Sequence, residues 1–542
     1  MQKRIERIVY EMYGHNVAVS LTRPEPQFGD FATNTALQLA KPLGRNPREI
    51  ATEVAAKLRD MGEYENVEVA GPGFINITLG SDALLASLSE EPRATRAGST
   101  VVIETNNPNP FKAMHIGHGF NAVLGDTIAN LLAVSGATVH RVSYHGDVGT
   151  HVGKSMYSLL KFVDGDVRKL DQISPEERNS FMSRMYAEGS RAYKEDDAAK
   201  QEIVQLARQS FVLNDELYRQ VYTTCKIWSF EEIDRVMKRI GNVPIEKRYL
   251  ESQADMRGVP IVQTHVPAVF QESDGALIFP GSKYGSFDNA FVTSKGLGLY
   301  GARDLGLMTL KHEDFHASKS YIVTAEEQRD YFRGVIKAAE LCLPELSGVT
   351  ENISTGTVKL STGKMSSRDG DVVEIGWLFD EFARAISERG GEASDEIVAG
   401  ALRYQFLRVK IGSDVVFDIN EAVSLTGNTG SYLQYAHARA RSILDKASVE
   451  CMSPTKVRAE DRALVRKLSE YHEIVAHAAE ALEPHHICTY LFELAQEFNR
   501  YYEKNQVVGG EHEAHRVGIV MLYADTLKAG LGILGIHAPE RL

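Results

Sequence analysis

The clearest pattern of hydrophobic and polar positions begins near residue 100. Residues 101–103 (VVI) form a short β-branched apolar run, which predicts a buried strand. A loop with two prolines follows, and then apolar residues recur at helical spacing over 123–132 until Gly136 ends the pattern. Residues 139–144 return to a strand pattern. Strand, helix and strand in this order predict a βαβ unit, and therefore a parallel sheet whose ligands bind beyond the carboxyl ends of its strands.

The patterns on either side of this unit predict further domains. Residues 67–77 (VEVAGPGFINI) are typical of two short strands around a turn, and residues 90–99 lack periodicity, as a linker does. A charged helical insertion is predicted at about 155–250, a further α/β stretch at about 258–375, and mainly helices after that. We therefore predict a multidomain α/β protein. Its predicted parts are a small α+β amino-terminal domain (1–97), a Rossmann-type parallel-sheet domain with the helical insertion (98–424) and an all-α carboxyl-terminal domain (425–542).

Composition adds a soluble character to this picture. Of 542 residues, 43% are hydrophobic and 25% charged, as in ordinary globular proteins. No run approaches about 18 consecutive apolar residues and the start is amphipathic, so we expect a cytoplasmic protein that does not span a membrane. The net charge of −13 argues against an anionic partner. Residues 431–470, however, carry eight Lys or Arg against five acids, which permits RNA contact, although such runs are more often solvated helix faces, by about two to one.

The cysteines are few and scattered. They are widely separated, and no two form the C-x-x-C pair that would begin a zinc site. We therefore expect buried thiols, with no zinc and no disulfide framework. The four positions are Cys225, Cys342, Cys451 and Cys488.

A histidine pair stands where the loop enters the predicted helix. Residues 115–118 (HIGH) place two imidazoles at a helix amino end, which favours phosphate binding. Gly117 allows a nucleotide close to the backbone, and His115 and His118 can donate hydrogen bonds to phosphoryl oxygens as charge develops on them. Taken alone, a zinc-binding pair or two capping histidines would explain this quartet about equally well.

A second segment supplies the context. Residues 359–370 (KLSTGKMSSRDG) form a Gly- and Ser-rich cationic loop suited to closing over a triphosphate, although alone it could be a solvated turn. The two segments, in this order and about 250 residues apart, resemble the HIGH and KMSKS signatures of class I aminoacyl-tRNA synthetases.

The flanking residues resemble the arginyl-tRNA synthetase family within that class. The resemblance is carried in the catalytic region by residues 103–118 (IETNNPNPFKAMHIGH), 145–150 (HGDVGT) and 300–304 (YGARD). Outside it, residues 27–34 (QFGDFATN) and 71–76 (GPGFIN) resemble the family's amino-terminal tRNA-contacting module, and residues 430–439 (GSYLQYAHAR) and 538–542 (APERL) resemble its helical anticodon-binding domain. The resemblance thus covers nearly the whole chain.

This resemblance implies which residues hold the amino acid. Glu104, Tyr300 and Asp304 match the family positions for the arginine side chain, and Asn109 and Gln328 match those for its α-amino and α-carboxylate ends. A guanidinium offers five donors in a planar fork and no acceptor, so carboxylates and hydroxyls in its plane select it over lysine. For Glu104 or Asp304 in isolation, a structural ion pair is the commoner role.

The resemblance also implies nucleotide and RNA contacts. The second lysine of KMSKS is replaced by Ser367, a loss that the family commonly accompanies with a lysine before HIGH, which is Lys112 here. The predicted catalytic residues are His115, His118, Lys112 and Lys364. The predicted ATP contacts are His115, Gly117, His118, Lys364, Met365, Ser366 and Ser367. The predicted tRNA contacts are Asn76, Arg439, Asn499 and Arg500.

Some positions depart from the family pattern or have a second explanation. Gly119 and Phe120 stand where Leu and Arg are common, and Val148 and His151 stand where Trp and Gln are common. Residues 498–502 (FNRYY) have the aromatic and basic mixture that stacks on unpaired bases, although an aromatic pair on a helix is more often core, by about two to one.

The implied activity is arginine–tRNA ligation. Arginine would attack the α-phosphate of ATP to give arginyl-adenylate and pyrophosphate, and would then pass to the terminal adenosine of tRNA(Arg), releasing AMP. The implied partners are tRNA(Arg), L-arginine and ATP as its Mg²⁺ complex, with no zinc and a monomeric chain. Two alternatives remain: a class I enzyme for another amino acid or small acid, and a catalytically inactive tRNA-binding protein.

Overall fold

The fold is known here from a computed structural model, which describes residues 1–88, 94–361, 373–449 and 452–542. The chain forms two compact units. One consists of residues 1–91, 440–473 and 493–526, and the other of residues 92–439, 474–492 and 527–542. Among the described residues, no helix has both the length and the apolar character needed to cross a membrane.

The amino-terminal segment is a small α+β module. Its strands form an antiparallel sheet in the order β1-β2-β4-β3. The predicted hairpin is confirmed: Val67 lies opposite Ile77, and the turn between the strands contains Gly73 at φ +146, where a Cβ would lie 3.0 Å from the Pro47 carbonyl oxygen. The elements are α1 (Gln2–Tyr13), β1 (Leu21–Thr22), β2 (Phe31–Thr33), α2 (Thr35–Leu43), α3 (Pro47–Asp60), β3 (Tyr64–Ala70), β4 (Phe74–Leu79) and α4 (Ser81–Leu88).

The second unit is built on a five-stranded parallel sheet. The strand order is β12 (Thr350–Thr355), β11 (Lys319–Ala325), β5 (Thr100–Asn106), β6 (Thr138–His145) and β7 (Lys247–Leu250). The predicted βαβ unit is therefore β5, helix α5 (Ile116–Val134) and β6, and β5 lies at the centre of the sheet. The elements of this segment are β5 (Thr100–Asn106), α5 (Ile116–Val134), β6 (Thr138–His145), α6 (Thr150–Val163), α7 (Arg178–Glu195), α8 (Asp197–Val212), α9 (Glu216–Arg239), β7 (Lys247–Leu250), α10 (Glu251–Thr264), β8 (Gln271–Ser273), β9 (Ala276–Phe279), β10 (Asn289–Val292), α11 (Tyr300–Phe315), β11 (Lys319–Ala325), α12 (Arg329–Cys342), β12 (Thr350–Thr355) and β13 (Val358–Leu360).

The helices α6 to α9 correspond to the predicted helical insertion. Their shared core contains Phe181, Met182 and Trp228. Residues 247–250, which the sequence placed at the end of the insertion, are instead strand β7 at the edge of the parallel sheet. This strand is short and begins with Lys247 and Arg248, so it lacks the apolar run that revealed β5.

Two glycines allow helices α10 and α11 to pack at very short range. A Cβ on Gly258 would lie 1.7 Å from the Ala302 carbonyl oxygen, and one on Gly306 would lie 2.0 Å from that of Ala254. Any larger residue would force the helices apart. This packing fixes α11, which carries Tyr300 and Asp304, against the helix that follows β7.

The remaining elements are mainly helical, as predicted. They are α13 (Ile375–Ser387), α14 (Asp395–Leu407), β14 (Val415–Phe417), α15 (Ile419–Ala422), α16 (Gly430–Asp445), α17 (Arg462–Ser469), α18 (Tyr471–Ala481), α19 (His485–Lys504) and α20 (Glu513–Ile533). Strand β14 pairs in parallel with β13. The cysteines Cys225, Cys342 and Cys488 are free and buried, as expected, and Cys451 lies outside the described residues.

A buried arginine joins distant segments of the second unit. Arg403 is fully buried, and its guanidinium donates hydrogen bonds to Asp126 (2.9 Å), to Asn242 (2.7 Å) and to the carbonyl oxygens of Ile240 and Leu534. Because the charge is paired and its donors are used, its burial is tolerated. Helix α5, which begins at the histidine pair, is thereby held at its middle.

Candidate active site

The loop between β5 and α5 is anchored by an aromatic side chain. Phe111 is fully buried with φ at +66, a left-handed conformation that costs a non-glycine residue roughly 1–2 kcal/mol. Its ring stacks on Tyr222 of helix α9 with centroids 5.3 Å apart. Its N–H donates to the Ser229 hydroxyl at 3.0 Å, and its carbonyl oxygen accepts from the Ser155 hydroxyl at 2.8 Å. The insertion helices therefore hold the residue that precedes Lys112.

Helix α5 begins at the histidine pair, where the His118 side chain caps the backbone of His115. His115 is the N-cap residue, and its N–H donates to Nδ1 of His118 at 3.3 Å. The rings stack with centroids 3.6 Å apart. A Cβ on Gly117 would lie 3.1 Å from Nδ1 of His115, so the glycine keeps this space open. The capping role that the sequence left open is thus present for the His118 side chain, and it sets the orientation of that ring.

Both imidazoles are neutral near pH 7. Burial, with a smaller contribution from the Lys112 charge, lowers the pKa of His115 to about 4. Burial also holds the pKa of His118 well below its usual range, helped by His115 and Lys112. Neutral imidazoles offer an N–H donor to a phosphoryl oxygen and do not repel the adjacent ammonium group.

Lys112 is partly buried beside these rings. Burial lowers the pKa of its ammonium group, and the nearby Glu251 carboxylate opposes that shift. Among the described residues, no carboxylate lies within the 4 Å of an ion pair with its Nζ. A desolvated ammonium group of this kind is a strong attractor for an anion such as a phosphate.

Helix α11 contributes the acidic residue that the sequence assigned to the arginine side chain. Asp304 accepts a hydrogen bond from the Tyr331 hydroxyl at 2.5 Å. Burial, together with the charges of Glu251 and Glu104, raises the pKa of Asp304 to about 7, although the hydrogen bond from Tyr331 opposes this shift. Tyr300, one helical turn earlier, is 66% exposed and lies on the same helix face.

Glu104 sits in a buried ion pair at the end of β5. The Lys311 ammonium group donates to its Oε1 at 2.6 Å, and the Asn107 side chain donates to its Oε2 at 2.6 Å. Both ionic side chains are 1% exposed. The ion-pair role that the sequence left open is therefore present, and a substrate contact by Glu104 would use the remaining lone pairs of its carboxylate.

Asn109 and Gln328 are the residues expected to hold the α-amino and α-carboxylate groups of the amino acid. Each follows a strand of the parallel sheet. Asn109 accepts a hydrogen bond from the Gly146 N–H at 3.0 Å, just after β6. Gln328 ends a short 3-10 turn after β11 and is exposed. Because β5, β6 and β11 are parallel, these residues share the carboxyl edge of the sheet.

Sequence reasoning missed Glu251. This residue follows β7 and is 8% exposed, and its Oε2 accepts from the Arg303 guanidinium at 2.9 Å. A Cβ built on Gly146 would lie 2.9 Å from both Glu251 Oε1 and Asn109 Oδ1, so the two side chains converge there. The feature that could have revealed Glu251 is its position at the carboxyl end of a parallel strand. That position was not recognised, because the residues of β7 were predicted to belong to the helical insertion.

The unusual residues near the histidine pair have local explanations. A Cβ on Gly119 would lie 2.6 Å from Cδ1 of Ile375, so a side chain there would collide with the start of α13. Phe120 is buried and packs against Phe406. His151 donates to the Gly146 carbonyl oxygen at 2.7 Å, which ties it to the loop that supports Asn109.

The other predicted residues are placed as follows. Lys364, Met365, Ser366 and Ser367 lie outside the described residues. Asn76 is 9% exposed on β4 of the amino-terminal module. Arg439 lies near the middle of α16, and Asn499 and Arg500 lie on α19, where the Arg500 guanidinium pairs with Glu497 at 2.7 Å. Phe498 and Tyr501 are 1% and 4% exposed, so these two rings are core residues, as the alternative for this segment held.

Comparisons with known proteins cover the chain from end to end. Residues 1–79 match the arginyl tRNA synthetase N terminal domain, residues 81–414 the tRNA synthetases class I (R) catalytic domain, and residues 433–542 the DALR anticodon binding domain. The chain is 30% identical to the arginine–tRNA ligase of Thermobifida fusca over 95% of this chain and 94% of the relative. It is 28% identical to that of Treponema denticola over 90% and 88%.

Solved structures of arginyl-tRNA synthetases have a fold similar to that of this chain. The arginyl-tRNA synthetase of Thermus thermophilus superposes with a TM-score of 0.81 at 25% identity, over 100% of this chain and 99% of that one. The Plasmodium falciparum arginyl-tRNA synthetase shares the fold with a TM-score of 0.79 at 19% identity, over 100% and 99%. With a catalytic-domain match across residues 81–414 and the predicted histidine pair at the sheet edge, the chain belongs to the arginyl-tRNA synthetase family of class I synthetases.

Proposed function

We infer that this chain ligates L-arginine to tRNA(Arg) in two ATP-dependent steps, through arginyl-adenylate. The observation that carries this proposal is the cluster of carboxylates around Asp304, on the helix-bearing side of the same parallel sheet whose central strand leads to the histidine pair. The charges of Glu251 and Glu104 both act on Asp304 there. An acidic cluster beside a phosphate-binding helix terminus suits a cationic amino acid that must meet ATP.

Arginine is selected by the geometry of its side chain. Its guanidinium is planar and carries five donors, so it can form parallel hydrogen bonds with a carboxylate such as Asp304. The Tyr300 hydroxyl, one turn away on the same helix face, supplies a further acceptor. Glu251 adds a second carboxylate near Asn109. A lysine ammonium group is a point donor and leaves some of these acceptors unpaired, which is costly for a buried carboxylate such as Asp304.

The first step is a displacement at the α-phosphate of ATP. An oxygen of the arginine carboxylate forms a bond to the α-phosphorus, and the bond to the β-phosphate oxygen breaks, releasing pyrophosphate. ATP enters as its Mg²⁺ complex. His115 and His118 donate to phosphoryl oxygens, and Lys112 offsets the charge on the phosphates. Because no covalent enzyme intermediate forms, the side chains act by positioning and electrostatics.

The second step transfers arginine to the terminal adenosine of tRNA(Arg) and releases AMP. We assign residues 1–97 to a tRNA-contacting domain, residues 98–424 to catalysis and residues 425–542 to anticodon binding. The family matches at 1–79, 81–414 and 433–542 support this division. Asn76, Arg439, Asn499 and Arg500 are the proposed tRNA contacts, and the proposed active species is a monomer.

The test is ATP–pyrophosphate exchange by the purified chain with each of the twenty amino acids, with and without total tRNA. Exchange with arginine alone, followed by arginine transfer to tRNA, is the expected result. If a different amino acid supports exchange, that amino acid is the substrate and the assignment of arginine is wrong. No exchange under either condition, with tRNA still bound, would mean an inactive tRNA-binding protein and would contradict the proposal.

A further inference from the structure

Three histidines and a glutamate meet at the turn between helices α18 and α19. Nε2 of His486 lies 3.0 Å from Oε2 of Glu483, and Nε2 of His485 lies 3.9 Å from the same oxygen. The ring of His477 adds a further imidazole, with its centroid 4.5 Å from that of His486. This cluster lies within residues 474–492 of the second unit and has no part in the active site described above.

The local backbone fixes this arrangement. Leu482 ends α18 with φ at +56, and the Ile487 N–H donates to the Pro484 carbonyl oxygen at 2.9 Å as α19 begins. The turn places Glu483 three residues before His486, so their side chains lie on the same side of the new helix turn. The hairpin is itself anchored by Tyr404, whose hydroxyl donates to the Cys488 carbonyl oxygen at 3.1 Å.

The spacing of the donor atoms is that of a metal site. Zinc bound tetrahedrally at about 2.1 Å by nitrogen and oxygen places neighbouring ligand atoms about 3.4 Å apart. The distances of 3.0 and 3.9 Å from Glu483 bracket this value. One donor atom from each of Glu483, His485 and His486 lies within 4.8 Å of the others.

The surroundings of the cluster leave its nitrogen and oxygen donor atoms available to a metal cation. Nδ1 of His485 is buried and has no hydrogen-bond partner. The Lys410 ammonium group lies 3.8 Å from the other carboxylate oxygen of Glu483 and is 68% exposed, so it leaves Oε2 to the histidines.

We propose that Glu483, His485 and His486 bind one divalent transition-metal ion of the zinc type, with His477 placed to act as the fourth ligand. Imidazole nitrogens with a single carboxylate suit Zn²⁺, Co²⁺ or Ni²⁺ rather than Mg²⁺ or Ca²⁺, which prefer oxygen. The absence of a C-x-x-C pair led us to expect no zinc, but this donor set needs no cysteine. The bound ion would clip the end of α18 to the start of α19.

The test is titration of the full-length, chelator-treated chain with Zn²⁺ against a chromophoric chelator. The expected result is one tight site, which His485→Ala/His486→Ala weakens by at least about 10-fold. Glu483→Gln, which keeps the side-chain shape, is expected to weaken it as well. The Co²⁺-loaded chain should show the visible absorption of a four-coordinate ion, and the double variant should lose it.

Two controls separate this site from other histidines. His15→Ala removes an exposed histidine of the amino-terminal module and should leave the affinity unchanged. His118→Ala removes half of the active-site pair and should also leave it unchanged. No stoichiometric Zn²⁺ binding, full binding by the double variant, or loss of binding only in His118→Ala would each overturn the proposal. Circular dichroism of each variant confirms that it is folded.

Discussion

Phe111 and Tyr222 are stacked at 5.3 Å, and this contact connects the loop before the histidine pair to the core of the helical insertion. The backbone of Phe111 is held in a left-handed conformation at φ +66. Since Lys112 follows directly, the insertion helps to determine where that ammonium group points.

Phe111→Ala is therefore expected to affect both folding and catalysis. Loss of the buried ring should lower the free energy of unfolding by about 3–5 kcal/mol, as measured by urea denaturation. Freeing the loop should also raise KM for ATP in the exchange assay. Phe181→Ala is the matched control, because it opens the same core without touching the loop. Equal kinetic effects in both variants would show that Phe111 does not position Lys112.

Lys112 is expected to be needed for nucleotide activation. Replacing it by alanine removes a desolvated positive charge near the phosphates and should lower the rate of ATP–pyrophosphate exchange by about 10²-fold. Lys112→Arg should retain part of the activity. Lys154→Ala removes a neighbouring ammonium group of helix α6 and should change the rate by less than about twofold. Unchanged exchange in Lys112→Ala would refute the assignment.

The histidine pair is expected to act in its neutral form. Since burial lowers the pKa of His115 to about 4 and that of His118 well below its usual range, neither ring titrates between pH 6 and 8. His118→Asn should lower kcat of exchange by about 10²–10³-fold, with no new pH dependence in that window. His140→Asn is the control, because His140 pairs with Glu246 near the start of β6, at the opposite sheet edge. If the exchange rate changed near pH 6.5 in the unsubstituted chain but not in His118→Asn, His118 would titrate in this range and its neutral role would be wrong.

Asp304 is expected to make arginine binding depend on pH. Folding raises its pKa from an ordinary 3.8 to about 7, and cationic arginine binds the ionised carboxylate. KM for arginine should therefore fall as pH rises from 6 to 8. Tyr331→Phe removes the hydrogen bond that lowers this pKa, so it should move the profile to higher pH, and Asp304→Asn should abolish it with a large rise in KM.

The same pKa shift has a consequence for stability. The native state holds a proton on Asp304 that the unfolded chain has already lost above pH 4, so this group's contribution to stability falls as pH rises from about 4 to 7. Asp304→Asn should remove that slope from the free energy of unfolding measured across this range. An unchanged slope would mean that Asp304 is ionised throughout.

The Glu104–Lys311 pair is expected to matter for stability when only one of its partners is removed. Removing one partner leaves an unpaired buried charge, so Lys311→Met should lower the free energy of unfolding by about 3–5 kcal/mol. The double variant Glu104→Gln/Lys311→Met should recover part of this loss, because no net charge remains buried. If Glu104 also contacts the substrate, the folded double variant should have a higher KM for arginine than the unsubstituted chain. A fully stable Lys311→Met would show that the pair is not buried in solution.

Features that depend on local pattern could be predicted from the sequence. The β-branched run at 101–103, the helical spacing over 123–132 and the hairpin at 67–77 were predicted correctly, because strand and helix periodicity are carried by near neighbours. The HIGH segment marked the start of α5 for the same reason. The HIGH and KMSKS-like segments also indicated the family, because each motif is a short run of neighbouring residues.

Which distant side chains share the site depends on how the whole chain folds. Glu104 and Lys311 are 207 residues apart, and Phe111 and Ser229 are 118 apart, so no local pattern could pair them. Glu251 was missed because four residues at a sheet edge carry too little hydrophobic signal to be recognised as a strand. Such contacts are set by strand order and by the glycine-permitted packing of α10 on α11, which are properties of the folded chain rather than of any one segment.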